Sequence, residues 1–190
     1  MLAIASMFDT QLRNGTTVHV RPIRPEDKKL LMTGMERLSE QSRRQRFLTA
    51  TDRLSRSQLA YLTEIDGRDH QAWGVLVADE PVAIGRFIRT SETEAEVALT
   101  VVDEWQHQGI GTMLLELLAD RARREGIERF SFVALPENTA LAGLLARYGS
   151  QPHIEDGLAT YTLETRPRVV THTQRGLRPT DSVGPTDDVN

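Results

Sequence analysis

The chain contains no cysteine in 190 residues. That excludes a disulfide framework, a thiolate-bound zinc and a cysteine nucleophile. Basic residues are not in excess: Lys+Arg 23 stand against Asp+Glu 27, a formal charge of −4. A strongly basic nucleic-acid binder is therefore excluded, and no nucleic-acid partner is expected. No hydrophobic run approaches the length of a membrane span, so no membrane partner is expected. The apolar start, Met1 to Phe8, is short and has no basic residue before it, which makes it a poor signal peptide and points to the cytoplasm. The five histidines (His19, His70, His107, His153, His172) include no pair at helical metal-ligand spacing, and HExxH is absent. No metal is expected.

Hydrophobic residues at 39% and charged residues at 26% suit one soluble core of ordinary domain size. Three segments are expected. Residues 1–15 read as a flexible lead-in, 16–165 as the folded domain, and 166–190 as a disordered tail. The tail (ending TDSVGPTDDVN) has too few large apolar groups to offset its ordering entropy.

Within the domain, β-branched alternation predicts a strand at Thr17–Arg21. Pro25 opens a helix with Leu30, Leu31, Met35 and Leu38 on one side. Shorter helices are predicted over Ser42–Leu48 and Ser57–Ile65. Strands at Ala72–Ala78 and Val82–Ile88 form a hairpin about an Asp79-Glu80-Pro81 turn. Ala95–Val102 is a further strand, and a long helix covers Gly109–Glu125. Strand Arg129–Ala134, helix Thr139–Tyr148 and strand Gly157–Leu163 follow. Helices, then antiparallel strands, then a strand–helix–strand crossover imply a parallel pair inside an otherwise antiparallel sheet. Where such a pair splays, a crevice opens.

The most informative stretch is Glu96–Gly111, EVALTVVDEWQHQGIG. A strand ends, a loop follows, and Gln106-His107-Gln108-Gly109-Ile110-Gly111-Thr112 enters a helix. Ile110, Met113, Leu114, Leu117, Leu118 and Ala122 give that helix one apolar stripe. Arg123 and Arg124 suit its last turn and Gly126 its left-handed cap. The glycines thus lie at a helix N-terminus, where unpaired N–H groups and the dipole favour an anion. GxxxxGK[ST] is absent, and a Rossmann fingerprint would need glycine where Leu114 stands. What remains is Gln-x-x-Gly-x-Gly at Gln106, Gly109 and Gly111.

Strand alternation places Glu96, Ala98, Thr100 and Val102 on one face. Small neighbours leave room beside Glu96, and apolar surroundings would desolvate its carboxylate. Residues 91–104 hold five acids (Glu92, Glu94, Glu96, Asp103, Glu104) and no base, an acidic rim that would attract a cationic amine. Residues 37–56 hold six arginines (Arg37, Arg43, Arg44, Arg46, Arg53, Arg56) against Glu40 and Asp52. These read as a solvated helix face or as anion contacts.

From Thr17 to Leu163 the chain resembles the GNAT superfamily of N-acyltransferases. The resemblance rests on the Gln106–Gly111 loop in its strand–loop–helix setting, the hairpin before it and the Asn138 segment after it. It implies an α/β (α+β) fold: a central mixed, mostly antiparallel sheet with a splayed parallel strand pair, flanked by helices. It implies acetyl-CoA as acyl-donor cosubstrate and an amine acceptor. Backbone groups of Val101 and Val102 would bind the pantetheine arm, and one of their N–H groups would face the oxyanion. The N–H groups of Gln108, Gly109, Ile110, Gly111 and Thr112 would hold the pyrophosphate, with Gln106 and His107 in the same loop. Asn138 would contact the pantetheine or acyl region; it equally suits the N-cap of the following helix. Many members carry a tyrosine acid seven residues after that asparagine. Here the position is Leu145, and Tyr148 reads as core.

Within the superfamily the chain is similar to the Pat-type protein lysine acetyltransferases, on Leu38–Phe47 (LSEQSRRQRF), Ala95–Ala98 (AEVA) and Gln106–Gly111 (QHQGIG). That likeness implies Glu96 as general base and a protein lysine as acceptor. A single-domain form is expected here, without the regulatory or ligase-like domain such proteins often carry. The alternatives are an acetyltransferase of a small amine or antibiotic, a non-catalytic acyl-CoA sensor, and a nucleotide-binding regulator that would bind ATP or NAD and no CoA. The oligomeric state is left open.

Overall fold

The computed structural model describes residues 7–166. The first six residues, and the predicted tail from residue 167 on, lie outside the described residues. Eight strands form one sheet in the order β1-β2-β3-β4-β5-β6-β8-β7. They are β1 (Phe8–Gln11), β2 (Thr17–Pro22), β3 (His70–Val77), β4 (Glu80–Arg89), β5 (Glu94–Val101), β6 (Arg129–Ala134), β7 (His153–Glu155) and β8 (Leu158–Glu164). Every pairing is antiparallel except β5 with β6. Five helices complete the domain: α1 (Lys28–Glu36), α2 (Glu40–Phe47), α3 (Arg56–Thr63), α4 (Ile110–Arg124) and α5 (Thr139–Ala146). The fold is the expected mixed, mostly antiparallel sheet with one parallel pair, flanked by helices.

Two apolar layers hold it. On one face, the stripe of α4 (Ile110, Leu114, Leu118, Ala122) is buried against Val97, Phe87 and Phe130 of the sheet. Gly85 permits this approach: a Cβ there would meet Leu99 at 3.0 Å and Leu118 at 3.1 Å. On the other face, Met35 and Leu38 bury against Val102, with Phe47 and Leu54 packed around them.

Some boundaries differ from expectation. Phe8–Gln11, inside the predicted lead-in, pairs with Thr17–Val20 as an edge strand. The hairpin turn sits at Ala78-Asp79, both with positive φ (47° and 66°), so Glu80 and Pro81 already belong to β4. A register shift beside Val75 and Leu76 accommodates Pro81, which has no N–H to give the ladder.

The parallel pair positions the site. β5 and β6 are in register only from Glu94↔Arg129 to Glu96↔Ser131. Beyond that, β5 stays with β4 up to Val101, while β6 stays with β8 up to Ala134. The two strands diverge, and the backbone between them is left without a partner strand.

Candidate functional site

A cleft of about 610 Å³ opens at this splay, bounded by β5, the loop into α4, α2 and α5. Its volume is that of an ordinary small-molecule site. Its floor is the loop that follows β5. After a short 3₁₀ turn at Asp103–Trp105, Gln106–Gly109 lead into α4. His107 (φ +60°) and Gly109 (φ +92°) take left-handed conformations, which turn the chain back on itself. α4 has no side-chain N-cap; its first internal backbone bond is Met113 N–H to the Gly109 carbonyl. The N–H groups of Gln108, Gly109, Ile110, Gly111 and Thr112 have no protein acceptor among the described residues. A helix N-terminus built this way is an anion site.

The two glutamines brace the loop. Gln106 Nε2 donates to the Val101 carbonyl at 3.2 Å. Gln108 Nε2 donates to the Glu104 carbonyl at 3.1 Å, and its Oε1 accepts from Asn14 Nδ2 at 2.7 Å. Gln106, His107, Gly109, Ile110, Gly111 and Thr112 all line the cleft.

The ladder decides which β5 groups face the gap. Val102 N–H donates to the Val82 carbonyl at 2.9 Å, and the register with β4 runs unbroken from Ala83↔Val101 to Arg89↔Ala95. Antiparallel bonding alternates, so even-numbered β5 residues bond to β4 and Val97, Leu99 and Val101 turn theirs toward the splay. Val102 therefore departs from its predicted role. Its N–H is taken, its side chain is buried at 4% exposure, and it packs under α1 rather than into the cleft. Val101 lines the cleft and turns its N–H toward the splay.

The unbroken register also keeps Glu96, Ala98 and Thr100 on one face, and all three line the cleft. Glu96 is exposed at the mouth, so the expected desolvation by small apolar neighbours is absent. The acidic rim is largely neutralised. Glu94 pairs with Arg129 at 2.8 Å, Glu104 pairs with Arg37, and Asp103 accepts from Ser39 and Ser42. Among the described residues, Glu92 and Glu96 are the rim acids without an ion pair or a side-chain hydrogen bond.

Asn138 lines the cleft and caps α5, its Oδ1 accepting from Leu141 N–H at 3.0 Å. Leu145 is wholly buried. Tyr148 is buried too, and its hydroxyl donates to Glu116 at 3.1 Å, away from the cleft lining. Burial, with the Glu116 charge, pushes its phenol up to about 12.

Arg13, Trp105 and Arg147 are among the cleft-lining side chains that the sequence did not point to. Arg147 donates to Thr112 Oγ1 at 3.2 Å, which sets a cation beside the free amides. Arg13 lies in the stretch read as a lead-in. Arg46, one of the six clustered arginines, also reaches the cleft, whereas Arg37 and Arg44 pair with Glu104 and Glu137. No group of three or more acidic or histidine side chains able to hold a metal occurs among the described residues. No helix among them is long and apolar enough to cross a membrane.

The model of the acetyltransferase (GNAT) family matches residues 34–149. The chain is 31% identical to the acetyltransferase Pat of Mycolicibacterium smegmatis over 159 residues, 79% of this chain and 46% of that protein. It thus spans about half the length of that relative. It is 32% identical over 143 residues to the acetyltransferase PA5475 of Pseudomonas aeruginosa, covering 73% of this chain and 77% of that protein. The solved GNAT domain of the S. lividans PAT superposes with a TM-score of 0.79 at 31% identity, over 83% of this chain and 96% of that domain. The chain belongs to the GNAT acetyltransferase family.

Proposed function

We propose that this chain is an acetyl-CoA-dependent N-acetyltransferase that acylates a primary amine by direct attack in a ternary complex. The observation that carries this reading is the row of unpaired N–H groups from Gln108 to Thr112, opening onto a splayed strand pair. Those amides, the α4 dipole and the nearby Arg13 and Arg147 suit a diphosphate. The Leu99 carbonyl and the amides of Leu99 and Val101 suit a pantetheine arm laid alongside β5 as a strand would lie.

Acetyl-CoA supplies the activated acyl group; the chain's own residues place and deprotonate the acceptor. An alkylammonium is mostly charged at neutral pH and has no lone pair to attack with. Glu96, one strand step from Ala98 at the cleft mouth, accepts that proton directly or through water. A β5 N–H facing the gap, Leu99 or Val101 in place of Val102, donates to the thioester oxygen as charge builds there. With Leu145 buried and Tyr148 turned to Glu116, no tyrosine is assigned as acid. Water or the acceptor amine returns a proton to the leaving thiolate.

Likeness to the Pat proteins supports a protein lysine as acceptor, and a small amine is the alternative. Calorimetric titration with acetyl-CoA, ATP and NAD, followed by thiol release on a lysine peptide and an amine panel, tests the reading. Binding of acetyl-CoA alone, with thiol release on at least one amine, is expected. Acetyl-CoA binding with no thiol release on any amine would make the chain a sensor, and binding of ATP or NAD instead would remove the acyl-transfer reading.

A further inference from the structure

On the face of the sheet that carries Glu96, buried Arg86 and half-buried Arg46 have no ion pair among the described residues, and Thr100 Oγ1 has no hydrogen bond there. Arg86 of β4 lies opposite Ala98, so it sits diagonally one step from Glu96, roughly 7–8 Å between backbones. Its side chain is 3% exposed. It donates to the Leu62 carbonyl at 3.3 Å and lies 3.2 Å from His70 Nε2. A guanidinium only donates, so that nitrogen accepts and His70 is the neutral Nδ1–H tautomer. Burial, with the His70-side contact to Arg86, holds His70 down at about 4. Both partners of Arg86 are thus uncharged.

Arg46 reaches the same wall from α2, its guanidinium carbon 5.0 Å from the Phe47 ring centre. It makes no ion pair or hydrogen bond among the described residues, and the carboxylate it feels is Glu96, beyond ion-pair distance. Thr100 Oγ1 is buried with no partner among the described residues. Arg46 and Thr100 line both the cleft and an apolar cavity behind it, which Arg86 also lines. The wall therefore holds two guanidinium cations, the neutral His70 and one carboxylate that deprotonation of an amine requires to be free. Cations drawn out of water without a bonded anion favour an incoming anion. A single purely cationic acceptor would add to that charge instead of relieving it.

We infer that Arg46 and Arg86 form a carboxylate-binding subsite beside Glu96, with Thr100 as a further hydrogen-bonding group. The inference rests on the acyl-transfer reading of the cleft. A planar carboxylate matches the paired donors of a guanidinium. It arrives either on the acceptor, as an amino acid or an acidic residue next to the target lysine, or on an acyl chain longer than acetyl.

Arginine Nε–H resonances of the full chain, saturated with CoA, test the subsite without turnover. Succinate should shift those of Arg46 and Arg86, and the neutral match succinamide should not. The Arg46→Gln variant should lose the response and Arg46→Lys should keep part of the binding. Equal response to both compounds, or to neither, overturns the inference. Turnover then separates the sources. A tenfold or greater preference for amino acids over their decarboxylated amines, lysine over cadaverine among them, puts the carboxylate on the acceptor. The same preference for succinyl-CoA over butyryl-CoA puts it on the donor. In either case Arg46→Gln should erase the preference through KM. Equal use of both members of every pair overturns the subsite while leaving acyl transfer intact; failure of acetyl-CoA to bind overturns acyl transfer and leaves the succinate response to be judged by itself.

Discussion

Asp103 and Ser39 tie the loop that follows β5 to the start of α2. Asp103, in the turn after β5, accepts from Ser39 Oγ at 2.7 Å and from Ser39 N–H at 2.9 Å, while Ser42 Oγ adds a third bond at 2.8 Å. Burial opposes ionisation of this carboxyl, but the Ser39 and Ser42 hydrogen bonds outweigh it and hold it below the usual carboxylate range. Ser39 is also the N-cap of α2, the helix that carries Arg46 and Phe47 to the cleft. Asp103→Ala should therefore loosen α2 rather than the amide cradle. We expect about a tenfold rise in acceptor KM, because small displacements of positioning groups are costly. Acetyl-CoA affinity, measured by calorimetry, should change far less.

Glu96→Gln keeps the shape of the side chain and removes its basicity. Turnover should fall by about 10²- to 10⁴-fold, the usual worth of a general base. The Kd for acetyl-CoA should stay within a factor of two or so, because the amides that would hold it lie elsewhere. Wild-type turnover in this variant would remove Glu96 from the mechanism.

Gly109 has φ +92°, and a Cβ there would meet nothing within 4 Å. The strain of Gly109→Ala is thus conformational rather than steric. It should cost about 1–2 kcal/mol of stability, the penalty for an L-residue in the left-handed region. Thermal unfolding would report that loss. Acetyl-CoA should also bind more weakly, since relief of the strain moves the loop amides.

His70 makes stability depend on pH. Its folded-state value is about 4, lowered by burial and then by Arg86, against about 6.5 in the unfolded chain. Between these values the unfolded chain binds the extra proton, so stability rises with pH across the window and is lost as pH falls from 6.5 toward 4. One proton sets an upper bound of about 1.4 kcal/mol per pH unit. Urea midpoints at pH 5 and pH 7 should differ less in His70→Asn than in the parent chain.

The elements with strong periodicity were legible from residue types alone. β6 falls on Arg129–Ala134 as read, and α4 follows its apolar stripe to Gly126, which takes φ +77°. The edge strands were not legible. Phe8–Gln11 and His153–Glu155 are three or four residues long and largely exposed, so no alternation marks them. At the site, the glycine loop announced itself through composition and spacing. The loss of Val102 did not, because only the ladder shows that its N–H belongs to Val82. Nor did Arg13 and Arg147, which approach the loop through tertiary folding from 95 and 35 positions away from Gln108 and Thr112. The acidic rim misled for the same reason: Arg37 and Arg129, distant in sequence, neutralise Glu104 and Glu94.

Acyl-CoA binding in this cleft depends most on the main-chain amides at the start of α4. Amide hydrogen exchange of the full chain, with and without saturating acetyl-CoA, examines them directly. Gln108, Gly109, Ile110, Gly111 and Thr112 have no protein acceptor among the described residues, so they should exchange freely in the bare protein and slow markedly when acetyl-CoA is added. Unchanged exchange at these five amides, with acetyl-CoA demonstrably bound, would contradict the account.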